Sequence, residues 1–340
     1  MTPPMDETFS IAGIPVAHRV LLAPMSGVSD LPFRRAASRL GAAYVATEMV
    51  ACETLAQGRR DVVRRAARSD DIPLTVIQLV GREAHWLAKG AAIAEESGAD
   101  IIDINMGCPA REVTGGLSGS ALMRDLDQAE RLIAAAVGAT SRPVTLKMRL
   151  GWDDCSRNAP ALAARAEAAG IKAITVHGRT RQQFFKGTSN WRAVADVKAA
   201  TRLPVIVNGD IVDAATAREA LEQSGADAVM IGRAALGRPW IARAVSQAIQ
   251  NGGAMEEPDL EARLAVILDH FRDSLAFYGD RLGLKTFRKH LARYIEDAPV
   301  ALSPSSRRTA KMHLCATEDP RAVERGLAAL WREPDIAVAA

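Results

Sequence analysis

Cysteine is scarce in this sequence, and its distribution excludes several kinds of protein. The 340 residues contain four cysteines and no CxxC pair; the cysteines are Cys52, Cys108, Cys155 and Cys315. Such scattered positions fit neither a structural zinc site nor a disulfide framework, so we expect no bound metal and a reducing, cytoplasmic location. The sequence also lacks any run of about 18 apolar residues, which excludes a conventional membrane-spanning helix.

Signatures of export and of common nucleotide-binding folds are missing too. The N-terminal stretch carries Asp6 and Glu7 but neither the basic nor the apolar region of a signal peptide. No GxGxxG follows the first apolar run, and GxxxxGK[ST] occurs nowhere. The net charge is only +3, so partners can be inferred only from a local concentration of charge.

What the sequence does have is a regular alternation of strand-like and helix-like segments. Eight short runs rich in Val and Ile are separated by stretches of helical periodicity, several of which end in Gly as helix C-caps do. The runs cover residues 19–25, 42–50, 74–80, 101–107, 143–150, 173–179, 204–210 and 228–234. Near-continuous apolar strands joined by helices indicate a parallel sheet covered on both faces. Eight such units favour an α/β fold of the (β/α)8 TIM-barrel type over a doubly wound open sheet.

The organisation changes after residue 250. The segment NGGAMEEPD (251–259) has the composition of a linker, and no strand-like run follows it. Helical periodicity continues in DLEARLAVILDHFRDSLAFYG, RLGLKTFRKHLARYIE and DPRAVERGLAALWRE. We therefore predict a barrel domain over residues 1–250 and a smaller, all-α domain over 251–340.

Polar residues stand at the ends of the predicted strands, where barrels of this type carry their chemistry. From the first strand to the eighth these residues are Met25, Glu48, Gln78, Asn105 with Cys108, Lys147 with Arg149, His177 with Arg179, Asn208 with Asp210, and Gly232 with Arg233. Each also has a structural explanation: Lys147 in an ion pair, His177 as a satisfied buried imidazole, or Cys108 as a small hydrophobe at a turn. Because apolar strands have no structural need for polar ends, the whole set predicts one polar site.

Glycines at the last two strand ends indicate an anion site. Gly209 in VNGD and Gly232 in IGRAALGRPW would let backbone amides approach a phosphate, which TIM barrels often bind after strands 7 and 8. A ligand held there would extend toward Gln78, Lys147 and His177, an arrangement that suits FMN. The alternative for Lys147 is a Schiff-base lysine, as in barrel aldolases.

Seven motifs, in order, resemble the tRNA dihydrouridine synthases, and most closely their bacterial B-type branch. They are LAPMSGVSDLPFR (22–34), DINMGCPAREV (103–113), GSALM (119–123), VTLKMRLGW (144–152), TVHGRTR (175–181), VIVNGDI (205–211) and MIGRAALGRPW (230–240). FRKHLARYI (287–295) is similar to the family's helical tRNA-binding segment. FKGTSNW (185–191) is only loosely similar to its counterpart, and the chain after about residue 300 matches no motif of the family.

The resemblance implies NADPH-dependent reduction of the C5=C6 bond of a D-loop uridine in tRNA, with position 17 as the expected target. FMN would deliver hydride to C6, and Cys108 would deliver a proton to C5, as a largely protonated thiol can at pH 7. The residues implied to bind FMN are Pro24, Met25, Gln78, Lys147, His177, Asn208, Gly209, Asp210, Gly232 and Arg233. Those implied to contact the uridine or the RNA are Asn105, Arg149, Arg179 and Arg181.

A basic helix face supports an RNA partner. Between residues 281 and 311 there are eight Lys or Arg and two acidic residues. At 100° per residue, one side of the helix collects Arg281, Lys285, Arg288, Lys289 and Arg293, and another side collects Leu284, Phe287, Leu291, Tyr294 and Ile295. The apolar side is expected to pack. The basic side is either a solvated surface or, beside a barrel that needs tRNA, a phosphate-binding surface of Lys285, Arg288, Lys289 and Arg293.

Two other functions remain open from the sequence. One is an FMN barrel oxidoreductase for a small-molecule dihydropyrimidine or enone, against which the basic helical domain argues. The other is a tRNA-binding or folding factor with a degenerate barrel, against which the intact series of polar strand ends argues. We expect the protein to act as a monomer.

Overall fold

The computed structural model describes residues 9–332, which form a closed parallel barrel followed by four helices. The strands are β1 (Phe9–Ile11), β2 (Ile14–Val16), β3 (Val20–Leu22), β4 (Val45–Ala46), β5 (Val50–Ala51), β6 (Thr75–Val80), β7 (Ile101–Met106), β8 (Val144–Arg149), β9 (Ile174–His177), β10 (Val205–Asn208) and β11 (Ala228–Ile231). The helices are α1 (Leu31–Arg39), α2 (Cys52–Ala56), α3 (Arg60–Arg65), α4 (Ala84–Glu96), α5 (Arg111–Thr114), α6 (Leu126–Val137), α7 (Ala159–Ala168), α8 (Arg192–Ala199), α9 (Ala214–Ser224), α10 (Ile241–Asn251), α11 (Leu260–Tyr278), α12 (Asp280–Glu296), α13 (Pro304–Ala316) and α14 (Pro320–Arg332). Short 3-10 helices span Gly119–Arg124 and Arg233–Ala235.

The barrel closes because every neighbouring pair of strands is parallel and β4 pairs with both β3 and β6. The order around the sheet is β4-β3-β11-β10-β9-β8-β7-β6-β5, in which β4 and β5 share one position. The predicted TIM barrel is thus confirmed, but the predicted second strand is two short strands. Between them the hydroxyl of Thr47 accepts the backbone N–H of Gln78 at 3.0 Å, so a side chain replaces one rung of the ladder.

A hairpin that the sequence analysis did not predict seals the N-terminal end of the barrel. Strands β1 and β2 are antiparallel and are joined by a turn in which Ala12 and Gly13 have φ of 51° and 82°. Phe9, Ile11 and Val16 pack in one cluster with residues at the starts of the barrel strands. The polar site must therefore open at the opposite end, where the strands finish.

Helices α11–α14 have an apolar core of their own. The predicted apolar side of α12 is buried there, as expected from its periodicity: Leu284, Phe287, Leu291, Tyr294 and Ile295. Helix α13 was not predicted, since its sequence is largely polar and only Ala310 and Leu314 are buried. The predicted domain boundary at 250/251 falls at the end of α10, and the outer ends of the two predicted domains lie outside the described residues.

The helical segment joins the barrel mainly through α11, which packs on α1. The guanidinium of Arg35 forms an ion pair of 2.8 Å with Asp273, and the hydroxyl of Tyr278 donates to Asp30 at 3.1 Å. No helix between residues 9 and 332 combines the length and apolarity that crossing a bilayer requires.

Candidate active site

A buried hydrogen-bond chain links strands β6, β7 and β8 at the barrel mouth. The carboxylate of Asp103 accepts hydrogen bonds from Thr145 Oγ1 at 2.7 Å and from Gln78 Nε2 at 2.6 Å. Gln78 Oε1 in turn accepts from Asn105 Nδ2 at 2.8 Å. Asp103 was not predicted as a site residue, although a carboxylate within an apolar strand was a signal that could have identified it.

Asn105 connects this chain to Cys108. Its Oδ1 accepts the backbone N–H of Gly107 at 3.1 Å and that of Cys108 at 2.9 Å, so the amide turns the chain out of β7. Cys108 is half-buried at the start of the following loop. Burial raises the pKa of its thiol above the ordinary value, although the cations of Arg149 and Lys147 lower it, so the thiol is protonated at neutral pH.

Lys147 and Asn208 form the centre of the mouth. Lys147 Nζ donates to Asn208 Oδ1 at 3.0 Å, and Asn208 Nδ2 donates to the carbonyl of Met230 at 2.7 Å. Burial lowers the pKa of Lys147 to about 8, while the nearby carboxylate of Asp103 raises it. The buried ammonium has one acceptor among the described residues, which leaves donor capacity for a ligand.

Asp210 organises the side of the mouth formed by β9, β10 and β11. Its carboxylate accepts hydrogen bonds from Arg179 Nη1 at 3.0 Å, from Arg233 Nη2 at 3.2 Å and from the N–H of Ser189 at 2.8 Å. Burial alone would raise the pKa of Asp210, but the hydrogen bonds from Arg179 and Ser189 outweigh burial and lower it. The predicted site residues Asp210 and Arg233 are thus partners, and Asp210 is ionised.

Two glycines at this side differ in their surroundings. Gly209 has φ of 116°, and a Cβ there would lie 2.7 Å from the His177 ring, so the position admits no side chain. At Gly232 a Cβ would meet only Ala23, at 4.0 Å, so the space beside its backbone is open. That open space next to the cationic Arg233 fits the phosphate of a ligand such as FMN.

The other predicted FMN residues lie at the same mouth. His177 is partly buried; burial, followed by the surrounding cations, lowers its pKa well below 6.5, so its imidazole is neutral. Pro24 and Met25 follow β3 and are half-buried, and Met25 packs on the apolar core. The predicted cofactor residues are therefore gathered around one opening, while their contact with FMN stays a prediction.

The three arginines predicted to contact RNA or uridine have structural partners. Arg149 donates to the carbonyls of Gly107, Thr180 and Phe184 at 2.8 to 2.9 Å and is buried. Arg179, also buried, donates to Asp210 and to the carbonyls of Lys186 and Gly187. These two guanidinium groups brace the loops of the mouth, and their contact with substrate stays a prediction.

Arg181 is more accessible. It donates to the hydroxyl of Thr114 at 3.2 Å and lies 4.8 Å from the ring centre of Trp152, which has Arg124 on it at 4.9 Å. Thr114 belongs to the segment that follows Cys108, so Arg181 connects that segment to the loop after β9. Because Arg181 and Arg124 both lie on the Trp152 ring, two cations stand beside the loop that carries the Cys108 thiol.

An exposed aromatic residue at the mouth was missed by sequence analysis. Phe185 lies with its ring 5.5 Å from the guanidinium of Arg149 and 5.4 Å from that of Arg233. It occurs in the segment FKGTSNW, whose weak similarity to the family gave no reason to select it. The same segment also holds the backbone after β10, where the phosphate of FMN is predicted to bind, since Trp191 Nε1 donates to the carbonyl of Gly209 at 2.8 Å.

The basic side of α12 lies next to the barrel mouth. Lys285 and Lys289 are exposed and Arg288 is partly exposed, whereas Arg293 forms an ion pair of 2.7 Å with Asp297. Lys289 reaches the loop after β3: a Cβ on Gly27 would lie 2.1 Å from its Nζ. The four residues predicted to contact RNA thus lie on one helix, but the charge of Arg293 is already compensated by Asp297.

The fold and the polar mouth define a (β/α)8-barrel enzyme with an appended helical segment. Among solved structures, morphinone reductase is similar in fold, with a TM-score of 0.55 and 15% identity over 77% of this chain and 93% of that chain. At that identity the similarity concerns the fold alone.

The sequence places the protein in a particular family. The dihydrouridine synthase (Dus) family model matches residues 21–323, and the chain belongs to this family. A probable tRNA-dihydrouridine synthase of Rhodobacter capsulatus is 50% identical over 296 residues, which are 87% of this chain and 91% of the relative. A tRNA-dihydrouridine synthase B of Xanthomonas campestris pv. campestris is 43% identical over 284 residues, 84% of this chain and 86% of the relative.

Proposed function

We propose that the protein reduces the C5=C6 bond of a uridine in the D-loop of tRNA, at position 17, with FMN as cofactor and NADPH as reductant. The observation that carries the proposal is the half-buried, protonated Cys108 thiol, held by Asn105 beside the buried Lys147 and Gln78. Family membership supports uridine reduction, and similarity to a relative named as the B-type enzyme supports the choice of position.

The residues of the mouth fit FMN. The open backbone at Gly232 and the guanidinium of Arg233 would hold its phosphate, and Lys147 and Gln78 would hydrogen-bond its ring. When bound, FMN would supply the hydride, taken from NADPH, that reduces the uracil at C6. The ammonium of Lys147 would place a positive charge beside the cofactor.

Cys108 provides the proton at C5. Reduction at C6 leaves an enolate on the uracil, because the C5=C6 bond is conjugated with the C4 carbonyl. A thiol kept protonated by burial can give up its proton to that carbon, and the nearby cations of Arg149 and Lys147 stabilise the thiolate that results. Asn105 fixes the position of the thiol through the backbone N–H of Cys108.

The tRNA would be held by the exposed side of α12. Lys285, Arg288 and Lys289 form a basic face beside the loop at Gly27, and their phosphate contacts would position the D-loop over the mouth. A uridine must leave its stack to reach Cys108, which costs a few kcal/mol that the RNA contacts repay.

We also propose that one chain suffices and that it works in the cytoplasm. The four cysteines are free thiols, as a reducing compartment maintains them. Size-exclusion chromatography with light scattering tests the first part, since a stable dimer would contradict it.

The test of the function is a visible spectrum of the purified protein, followed by NADPH oxidation with unmodified tRNA. We expect a flavin spectrum that NADPH bleaches and that unmodified tRNA restores faster than a matched tRNA with cytidine at position 17. A flavin unaffected by any tRNA would favour the small-molecule reductase. A colourless protein that does not take up added FMN would contradict the proposal.

A further inference from the structure

Three potential metal ligands meet where the barrel joins the helical segment, behind the loop that follows β3. Asp30 is the N-cap of α1, His270 lies on α11 and His290 on α12. One ligand atom of each lies within 4.8 Å of the other two, and all three residues are at least 96% buried. Nothing in the proposed uridine reduction uses them.

Three of the four imidazole nitrogens at this point lack partners among the described residues. His270 Nε2 and both ring nitrogens of His290 are buried and make no hydrogen bond to the described residues. The backbone of Val28 faces His290, yet neither nitrogen reaches it with normal hydrogen-bond geometry. Buried polar atoms are nearly always satisfied, and each of these two imidazoles offers an unpartnered nitrogen that could bind a metal.

An outer hydrogen bond holds the ring of His270. Its Nδ1 pairs with the hydroxyl of Tyr294 at 3.0 Å, which orients the ring and leaves Nε2 free for a metal, as outer hydrogen bonds do for histidines that bind metals.

A buried carboxylate stands beside the two imidazoles. The carboxylate of Asp30 accepts the N–H of Phe33 and the hydroxyl of Tyr278, each at 3.1 Å. These two donors orient the carboxylate, and its oxygens keep lone pairs for a cation.

We propose that Asp30, His270 and His290 bind one Zn²⁺ ion that ties the helical segment to the barrel. Two imidazole nitrogens and one carboxylate oxygen are a ligand set that zinc prefers, and water would complete the tetrahedron. Zinc bonds of about 2.0 to 2.2 Å place ligand atoms about 3.4 Å apart, so binding would draw the three groups together by about an ångström.

The site would also stabilise the surface proposed to bind tRNA. His290 lies within FRKHLARYI, next to Arg288 and Lys289. Its ring is buried, whereas the side chains of Arg288 and Lys289 lie on the outer side of the helix. A metal on His290 would therefore fix α12 against α1. Only this consequence depends on the proposed function, because zinc binding itself requires neither FMN nor RNA.

The experiment uses the full chain, freed of metal with a chelator and then titrated with ZnCl2. We expect about one tightly bound zinc per chain by mass spectrometric metal analysis, and a rise in melting temperature. The variants His270→Gln and His290→Gln should each retain less than about a tenth of that zinc. His313→Gln, at an exposed position of α13, is the matched control and should bind zinc as the unaltered chain does.

Two results would overturn the proposal. One is an unaltered chain that retains no zinc and whose melting temperature does not respond to ZnCl2; water molecules would then satisfy the nitrogens. The other is a His290→Gln variant that binds as much zinc as His313→Gln. Because the titration of the unaltered chain decides by itself, a variant that fails to fold does not leave the question open. Loss of uridine reduction with zinc still bound would count against the proposed function alone.

Discussion

Asp103→Asn tests whether the buried chain at the barrel mouth positions the reacting groups. The carboxylate accepts two hydrogen bonds, from Gln78 at 2.6 Å and Thr145 at 2.7 Å. An amide in the same place keeps one oxygen but directs an NH2 group at the other donor. Hydrogen bonds to a charged group contribute about 1.5–3 kcal/mol, and an unsatisfied buried donor costs about 1–3 kcal/mol. Relief of the buried charge offsets part of this, so we expect a loss of about 1–3 kcal/mol in the free energy of unfolding.

The same change should alter the pH dependence of the reaction. Asp103 raises the pKa of Lys147, which burial has lowered to about 8. Without the carboxylate that pKa falls further, so Lys147 loses its proton at a lower pH. If its ammonium supports the reduced cofactor, activity on the alkaline side should decline at lower pH in Asp103→Asn than in the unaltered protein.

The assay combines FMN titration of the flavin-free protein with the rate of tRNA-dependent reoxidation from pH 6 to 10. We expect FMN binding weaker by about tenfold, equivalent to about 1.4 kcal/mol, because Gln78 must turn to satisfy its amide and lose Asn105. Asp100→Asn is the matched control: it alters a carboxylate that accepts Thr75 N–H at 2.8 Å, at the opposite end of the barrel. Unchanged FMN affinity and an unshifted alkaline limb in Asp103→Asn would refute the reasoning.

Three further substitutions test the site in separate steps. Cys108→Ala should keep FMN but slow dihydrouridine formation by about 10²- to 10⁴-fold, the usual contribution of general acid catalysis, measured in single turnovers of reduced enzyme. Arg233→Ala should weaken FMN binding by about 10- to 100-fold in a fluorescence titration, because one charged contact to the phosphate is lost. Removing the charges of Lys285, Arg288 and Lys289 together should reduce the slope of log affinity for tRNA against log salt by about 2.

Controls separate these effects from general damage. Cys155→Ala changes an exposed thiol and should retain full activity, and Arg321→Ala with Arg325→Ala removes cations of α14 without changing the salt slope. Dihydrouridine formation by Cys108→Ala at the unaltered rate would remove the thiol from the reaction. Unchanged flavin content in Arg233→Ala would contradict the phosphate contact, and an identical salt slope in the triple variant would make the basic face ordinary surface.

Local patterns predict most of the fold. Strands such as β7 and β8 are buried on both faces, so their sequences are nearly continuous apolar runs, and the apolar side of α12 follows the helical period. The hairpin of β1 and β2 could not be predicted this way, because three-residue strands show too little alternation. Helix α13 was not predicted for a related reason: it buries only two side chains and so has almost no apolar stripe.

The site was predictable where it follows strand ends, and less so where it depends on distant partners. Cys108, Lys147 and Asn208 meet because parallel strands all finish at one rim. Arg149 donates to backbone carbonyls because the loops fold over it. The spacing of residues in the sequence does not encode how those loops fold. Asp30 and His270 likewise lie far apart in sequence and meet only through packing of α1 on α11.

Gly27 marks where the basic helix meets the barrel. Its φ of 73° is a backbone conformation that side chains rarely adopt, and the ammonium of Lys289 lies beside it. The proposed RNA surface and the loop after β3 are therefore neighbours. On the proposed function, the distance from the Cys108 thiol to these cations would decide which nucleotide of the D-loop reaches the mouth, and the base would be read only for its reducible bond.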